Sequence, residues 1–163
     1  MLGVHDVGHH YLPLMLWTSD MDITSAAIAT IISAITSAGV TLLLARTNAK
    51  KSLDDQLDGI LKIAVQYSYL ESKDFTDAWK STYDRNDERA LRYEVYCTMV
   101  FNFMSRLAEY YKYDDKKIHE HLALKPWARI HAKYWRDPTE AYDNVDSYDR
   151  CFVALIEGYL KGK

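Results

Sequence analysis

The amino-acid sequence predicts an all-α protein in which a single N-terminal transmembrane helix precedes a compact cytoplasmic bundle of about six helices. Three observations lead to this fold class. An uncharged apolar segment covers residues 23–45, helical periodicity with capping residues follows from Lys51, and strand-like alternation is missing from the sequence. The predicted parts are an extracytoplasmic tail with an interfacial segment over 1–22, the membrane helix over 23–45 and the helical domain over 46–163.

The membrane helix is predicted from its length. A hydrocarbon core of about 30 Å needs about 20 apolar residues at 1.5 Å per residue. Residues 23–45 supply 23, without any Asp, Glu, Lys, Arg, His or Pro. The alternative is the core helix of a soluble protein, but such helices rarely run this far without a charged residue. The lipid bilayer is therefore the first expected partner.

The distribution of charge predicts the orientation of this helix. None of the 20 Lys and Arg residues precedes Arg46, which begins a cluster with Lys50 and Lys51. The positive-inside rule therefore places the C-terminal domain in the cytoplasm and the N-terminus outside. Three acids lie before Arg46, which leaves 20 of the 23 acidic residues to balance 20 basic ones. This neutral domain is not expected to bind duplex nucleic acid, and any phosphate site must come from a local patch.

Small residues along the membrane helix predict self-assembly. They recur every fourth position in two adjacent rows, which lets helix backbones approach closely and lets hydroxyls bond across an interface. The residues expected at the oligomer interface are Ala29, Ser33, Ala34, Ser37 and Ala38. In a monomeric span, the same Ser and Thr hydroxyls are tolerated because they bond back to their own helix. Packing contacts are the simpler interpretation of these rows, and a water-filled pore remains a hypothesis.

The helices of the domain are predicted from caps and apolar periodicity. Ser52 resembles the N-cap of a helix to about Leu70, and the alternative is that this helix continues from the membrane helix. Ser72 resembles the N-cap of a short second helix. The longest element covers about 87–112 and should be the central helix, with a break at 113–115. Further helices are expected over 118–124, 126–136 and 147–160. Pro126 suits a first helical turn, and the Asp137-Pro138 pair ends the preceding helix.

A basic and aromatic segment is the main candidate for ligand binding. Between Lys125 and Arg136 the chain has no acidic residue, and its cations fall at one helical face. Cations beside rings suit the phosphates and bases of single-stranded or cyclic nucleotides. The candidate ligand-binding residues are Lys125, Trp127, Arg129, His131, Lys133, Trp135 and Arg136.

Two other interpretations of this segment stay open. The cations can pair with acids of the same chain, in which case the tryptophans are core residues. The nearby acids are Glu140, Asp143, Asp146 and Asp149. Alternatively, the stripe rests on anionic lipid headgroups.

Catalytic, metal and cofactor sites are not expected. The sequence lacks a Gly-rich phosphate loop and a nucleophile elbow. His119 and His121 lie about 200° apart around a helix. The two cysteines, Cys97 and Cys151, are not at metal-ligand spacing, which suits reduced thiols. One interpretation of the N-terminal tail is an external metal site formed by His5, Asp6, His9 and His10. A polar tail without a metal is the better interpretation.

The chain resembles the small membrane effectors of prokaryotic antiviral defence, in particular the cyclic-oligoadenylate-binding membrane protein associated with type III CRISPR systems. The resemblance lies in the architecture, which is one short span, the basic step after it and a helical domain of about 110 residues. The segment Trp127–Arg136, followed by Asp137-Pro138, also resembles stretches in membrane-anchored helical domains of bacteria. It implies a homotetramer in the bacterial inner membrane that binds cyclic tetra-adenylate and then disrupts the membrane. Arg129 and Lys133 would meet phosphates, while Trp127 and Trp135 would stack or support.

A second function, from a different class, is also compatible with the sequence. A membrane-tethered adaptor would dock a protein partner through an aromatic groove of its helical domain, and its anchor would only localise it. The two functions differ in the ligand that the domain binds, a cyclic nucleotide or a protein. Neither requires an enzyme activity.

Overall fold

The computed structural model describes residues 18–82, 84, 86–137 and 144–162, and this part of the chain contains helices and no strand. The predicted all-α class, with one long apolar N-terminal helix before a helical domain, is confirmed. Eight α-helices and one 3₁₀ turn are described. They are α1 (Thr18–Gln66), the 3₁₀ turn Ser68–Glu71, α2 (Lys73–Thr82), α3 (Glu88–Tyr110), α4 (Asp115–His121), α5 (Leu124–Ile130), α6 (Ala132–Arg136), α7 (Asn144–Ser147) and α8 (Arg150–Leu160).

Internal contacts divide the chain into two units, Met1–Thr47 and Asn48–Lys163, and α1 contributes residues to both. In the first unit, every side chain from Ser25 onward is exposed. An 18-residue window there has a mean hydropathy of 2.0 and none of it is buried. By length and composition, this helix can cross a membrane. The core helix of a soluble protein would instead be mostly buried. Of the predicted tail, residues 1–17, which include its histidines and the interfacial segment, lie outside the described residues, whereas 18–22 belong to α1.

In the second unit, α3 is the central helix, as its length predicts. Ten of its side chains are buried, and α3 contacts α2, α4, α5, α6 and α8. The largest fully buried side chains of the unit are Trp135, Tyr93, Tyr96, Phe101, Phe103, Phe152, Ile60, Leu70, Met104, Leu107, Ile118 and Leu124. Burial of this much apolar and aromatic surface is the main favourable term in folding.

Some predicted helix boundaries differ from the structure. Ser52 does not begin a helix; of the two predicted alternatives, continuation from the membrane helix is the one observed, since α1 runs through Ser52. Ser52 Oγ accepts a hydrogen bond from Gln56 Nε2 at 3.2 Å within this helix. The predicted helix over 126–136 is two helices that meet at His131. The last helix begins at Arg150, where the Asp149 carboxylate accepts from the Cys151 amide at 2.7 Å. Side-chain caps and tertiary contacts, rather than apolar periodicity, decide these ends.

The outer face of α3 is apolar. Helical periodicity alone therefore does not distinguish it from the face that lies in the core. Leu91, Val95 and Met99 recur at every fourth residue and are 46%, 62% and 37% exposed. The core side is formed by neighbours such as Tyr93 and Tyr96. Because α3 is apolar on most of its circumference, both faces fit the spacing of an amphipathic helix.

The end of α3 adopts a left-handed turn without glycine. Lys112 and Tyr113 have φ values of 53° and 59°. The Tyr113 amide donates to the Ala108 carbonyl oxygen at 2.8 Å, which satisfies an acceptor that the helix would otherwise leave free. For residues other than glycine this conformation is sterically unfavourable, because Cβ lies too close to the following carbonyl oxygen. The structure has a break between α3 and α4, as predicted, but it covers 111–114 rather than 113–115, since Asp115 is the first residue of α4.

Candidate functional site

The seven candidate ligand-binding residues do not form one surface. The helical row that the sequence predicts is broken at His131, where α5 ends and α6 begins. His131 and Trp135 are fully buried, Trp127 and Lys125 are half-buried, and the other cations are exposed. The segment therefore contributes partly to the core and partly to the surface.

The rings of this segment pack against the protein itself. The Trp135 ring lies 4.9 Å from that of Phe101, and its Nε1 donates to Glu157 Oε1 at 3.1 Å. Trp127 Nε1 donates to Glu71 Oε1 at 2.8 Å. Trp135 and His131 have no exposed face on which a base could stack. The second interpretation of the sequence, with the tryptophans in or against the core, fits these positions.

Two of the cations bind main-chain carbonyl oxygens. Arg129 Nε donates to the Tyr159 carbonyl oxygen in the last turn of α8 at 3.0 Å, and a cation at this end of a helix is favourable. Lys133 Nζ donates to the Asp77 carbonyl oxygen in α2. Both cations thus fasten neighbouring helices. The acids Asp146 and Asp149 form no ion pair with them, whereas Glu140 and Asp143 lie outside the described residues.

Arg136 differs from the other three cations of the segment. Its side chain is exposed and makes no hydrogen bond or ion pair with the part of the chain that the structure describes. Next to it, Asp137 pairs with Lys80 of α2. Arg136 is therefore the member of the stripe that is best placed to meet an external anion.

A largely buried polar cluster lies behind the segment, centred on the half-buried Glu71 carboxylate. Its Oε1 accepts hydrogen bonds from Trp127 Nε1 at 2.8 Å and from the Tyr96 hydroxyl, and lies 3.3 Å from His131 Nε2. His131 Nδ1 lies 3.1 Å from the Tyr93 hydroxyl. The cluster joins the 3₁₀ turn to α3, α5 and the α5–α6 junction, and charge-assisted hydrogen bonds of this kind are strong.

The electrostatics of the cluster favour an ionised Glu71. Its burial raises the pKa of the carboxyl group, but hydrogen bonds from His131, Tyr96 and Trp127 outweigh this effect and hold the pKa below its ordinary value. Burial, followed by the hydrogen bond to Glu71, raises the pKa of Tyr96. Tyr96 is therefore a hydrogen-bond donor to a carboxylate at neutral pH.

Cys97, His131 and Glu71 lie in the order of a nucleophile, a base and an orienting acid. Cys97 Sγ is 3.7 Å from His131 Nδ1, and His131 Nε2 faces Glu71. Such an order occurs in cysteine hydrolases. Here both Cys97 and His131 are fully buried, and burial raises the pKa of the Cys97 thiol well above its ordinary value. A neutral thiol out of reach of substrate is a structural group and not a nucleophile.

A groove on the second unit lies beside this cluster. It has a volume of about 400 Å³ and lies between the last turns of α1 and the outer face of α3. Its lining residues are Ile63, Tyr67, Glu88, Leu91, Arg92, Val95, Tyr96 and Met99. The Arg92 guanidinium lies 3.9 Å from the centre of the Tyr67 ring and pairs with Glu88. The groove is therefore apolar along its length with one ion pair at its edge.

The predicted oligomer-interface residues all lie on the exposed surface of α1. Ala29, Ser33, Ala34, Ser37 and Ala38 are exposed in the single chain. Three threonines of the same segment bond back to their own helix instead. Thr30, Thr36 and Thr41 each donate to the carbonyl oxygen four residues earlier at 2.8 Å. These hydroxyls need no second helix, and the prediction of self-assembly rests on the small residues alone.

Sequence reasoning missed Glu71 and the outer face of α3. Glu71 is a single acid in a polar stretch, and only the fold brings it to residues 25, 56 and 60 positions away. Helical periodicity does not separate Leu91, Val95 and Met99 from the core-facing residues of α3, and only the structure shows that they are exposed. A possible signal was the excess of apolar positions in α3 over what one core-facing stripe requires.

Comparisons with known proteins add nothing to this geometry. The chain matches no protein-family model, and neither the curated proteins nor the solved structures contain a significant match.

Proposed function

We propose that this protein is a membrane-tethered adaptor whose helical domain docks a helix of a protein partner. One observation carries the proposal, the exposed apolar row of Leu91, Val95 and Met99 along the groove beside α1. Exposed apolar surface that is contiguous and edged by charge is typical of interaction sites. A groove lined at every fourth residue of a helix suits the apolar face of another helix.

The tether in this proposal is the apolar part of α1. It is supported by the length of the helix, by a mean hydropathy of 2.0 and by the exposure of every described side chain before Asn48. The positive-inside rule favours a cytoplasmic helical domain and an external N-terminus. The bacterial inner membrane is proposed as the location on the resemblance to bacterial membrane effectors alone. Cell fractionation tests the tether. The chain should stay with membranes after washing at high salt and alkaline pH, and release into the soluble fraction would contradict it.

The docking surface is tested by photo-crosslinking of the full chain in cells. A photoreactive residue at Val95, which is 62% exposed, should trap one protein partner. The matched control is a photoreactive residue at Glu120, which is exposed on α4 and outside the groove. The trapped partner, once purified, should bind the wild type at least about 10-fold more tightly than Val95→Glu. The reason is that binding would remove the glutamate carboxylate from water without a compensating partner, which is unfavourable. Equal crosslinking at both positions would reject the groove.

Binding of a cyclic oligoadenylate is the second candidate, with a homotetramer and membrane disruption as its consequences. The exposed Arg136, which has no partner among the described residues, favours it. Its candidate stacking rings are poorly placed, since Trp135 and His131 are buried and the half-buried Trp127 is held by Glu71. We therefore place it after the adaptor.

Calorimetry of the full chain in detergent against cyclic tetra-adenylate separates the two functions. If the second is right, binding is salt-sensitive and Arg136→Glu weakens it more than Arg89→Glu, because Arg89 is engaged by Asp87 at 3.0 Å. Arg129→Glu is a poor probe, since it also removes the contact with Tyr159. The absence of binding to any cyclic nucleotide would leave the adaptor.

A further inference from the structure

The outer face of α3 has a symmetry that identifies an occupant. Glu88 and Arg106 are 18 residues apart, which is five whole turns at 100° per residue, so that they lie on one line along the helix. Val95 and Met99 lie between them, each about 20° from that line. Position 97 is the midpoint of both pairs. From its N-terminal to its C-terminal end, the row therefore consists of an acid, two apolar residues and a base. The acidic half is complementary in charge to the basic half.

A row of this kind fits an antiparallel copy of itself. Consider a second α3 related to the first by a two-fold axis that crosses the outer face at the height of residue 97 along the helix. Val95 then meets Met99 of the second copy, and Glu88 meets its Arg106. An interface with two-fold symmetry repeats each contact, so that two apolar contacts and two ion pairs form at once. A parallel copy would place Glu88 against Glu88 and Arg106 against Arg106, which is repulsive.

The charges at the ends of the row are available for such a contact. The Glu88 side chain is 82% exposed, although it pairs with Arg92 on its own helix. Arg106 is exposed and makes no hydrogen bond or ion pair within the described part of the chain. A carboxylate can accept from two cations, so the pair with Arg92 does not compete with Arg106 of a second copy.

We infer that the partner docked on the outer face of α3 is a second copy of this chain, in an antiparallel dimer centred on position 97. The inference rests on the proposed docking function and on the membrane tether. Each copy contributes few apolar side chains, fewer than a stable interface in solution needs. Tethering to one membrane raises the effective concentration of the domains, so that a small face suffices.

Distances between spin labels test this arrangement in the full chain in lipid nanodiscs. Labels are placed at Asn102→Cys or at Glu109→Cys in a Cys151→Ser background, where the remaining Cys97 is fully buried. For helix axes about 9 Å apart, the antiparallel dimer gives about 17 Å between residues 102 and about 37 Å between residues 109. A parallel pair gives similar short distances at both positions and overturns the inference, as does the absence of dipolar coupling.

A charge swap tests the ion pairs. Arg106→Glu should lower the dimer fraction at least about 10-fold, and the double variant Glu88→Arg/Arg106→Glu should restore it, since each pair is reversed as a unit. Lys116→Glu, an exposed cation on α4, is the control and should leave the dimer unchanged. Failure of the double variant to recover would overturn the pairing.

The crosslink at Val95 distinguishes the two proposals. A trapped second copy supports both. A trapped protein of another kind, without the two spin-label distances, overturns the dimer and leaves the docking function. A photoreactive Val95 that traps no protein overturns both.

Discussion

Oε1 of Glu71 lies 3.3 Å from Nε2 of His131, a residue 60 positions later in the chain. The two side chains connect the 3₁₀ turn after α1 with the junction of α5 and α6. His131 is fully buried, while the Glu71 side chain is 29% exposed, so the pair lies where the core meets the surface. A partly exposed carboxylate thereby anchors a fully buried imidazole.

Removal of this carboxylate should destabilise the helical domain. Glu71→Ala leaves the donors of Trp127, Tyr96 and His131 without their acceptor, which we expect to lower the free energy of unfolding by about 2–4 kcal/mol. Glu120→Ala, on the exposed surface of α4, should change it by less than about 0.5 kcal/mol. Denaturant titration of the full chain in detergent, followed by tryptophan fluorescence, measures both. Equal effects would contradict a supporting role of Glu71.

The same carboxylate should make stability depend on acid pH. Because the pKa of Glu71 is lower in the folded chain, ionised Glu71 stabilises the fold above the ordinary glutamate pKa of about 4.3. This contribution is lost as pH falls through the lower, folded pKa. Three helix-capping aspartates act in the same direction, because hydrogen bonds from backbone or side-chain donors lower their pKa values as well. They are Asp87, Asp114 and Asp149.

Unfolding midpoints between pH 3 and pH 7 test this dependence. Glu71→Gln should lose stability less steeply than the wild type below about pH 4.3, because glutamine does not titrate. The remaining slope belongs to the aspartates. Parallel curves for the two proteins would show that Glu71 does not contribute.

The two thiols should differ strongly in reactivity. Cys97 is fully buried and burial raises its pKa, whereas Cys151 is exposed at the start of α8. A maleimide should modify one thiol per native chain, and Cys151→Ser should react at least about 100-fold more slowly until denaturant is added. Thiol counting by mass spectrometry measures this. Rapid labelling of Cys97 in the native protein would contradict its burial and reopen a nucleophilic role.

Glycine at the end of α3 should stabilise the protein. Lys112 is exposed and has a φ of 53°, where a side chain is unfavourable and glycine is not. Lys112→Gly should raise the free energy of unfolding by up to about 1 kcal/mol. Glycine removes the steric strain of the folded state, and this gain is larger than the loss that comes from the greater conformational entropy of the unfolded chain. Lys116→Gly is the matched control within α4 and should lower it by about 1 kcal/mol. A loss in both variants would show that the turn is not strained.

Part of the candidate site follows from local sequence and part does not. The row at 125, 129, 133 and 136 is a property of spacing, but its function depends on what the fold brings near it. Tyr159 and Asp77 offer carbonyl oxygens to Arg129 and Lys133, and these neighbours lie 30 and 56 positions away. Propensity and periodicity describe only near neighbours, so they could not separate a binding surface from a set of helix clamps.

The sequence by itself determined the apolar helix, the all-α class and the place of α3 as the longest element of the domain, because hydropathy, capping and helical period are local properties. The tertiary structure decided which of the two apolar faces of α3 is buried. It also decided that Trp135 and His131 lie inside and that Glu71 holds the α5–α6 junction. Those outcomes depend on contacts between distant segments, where burial of one face against the other helices leaves Leu91, Val95 and Met99 exposed.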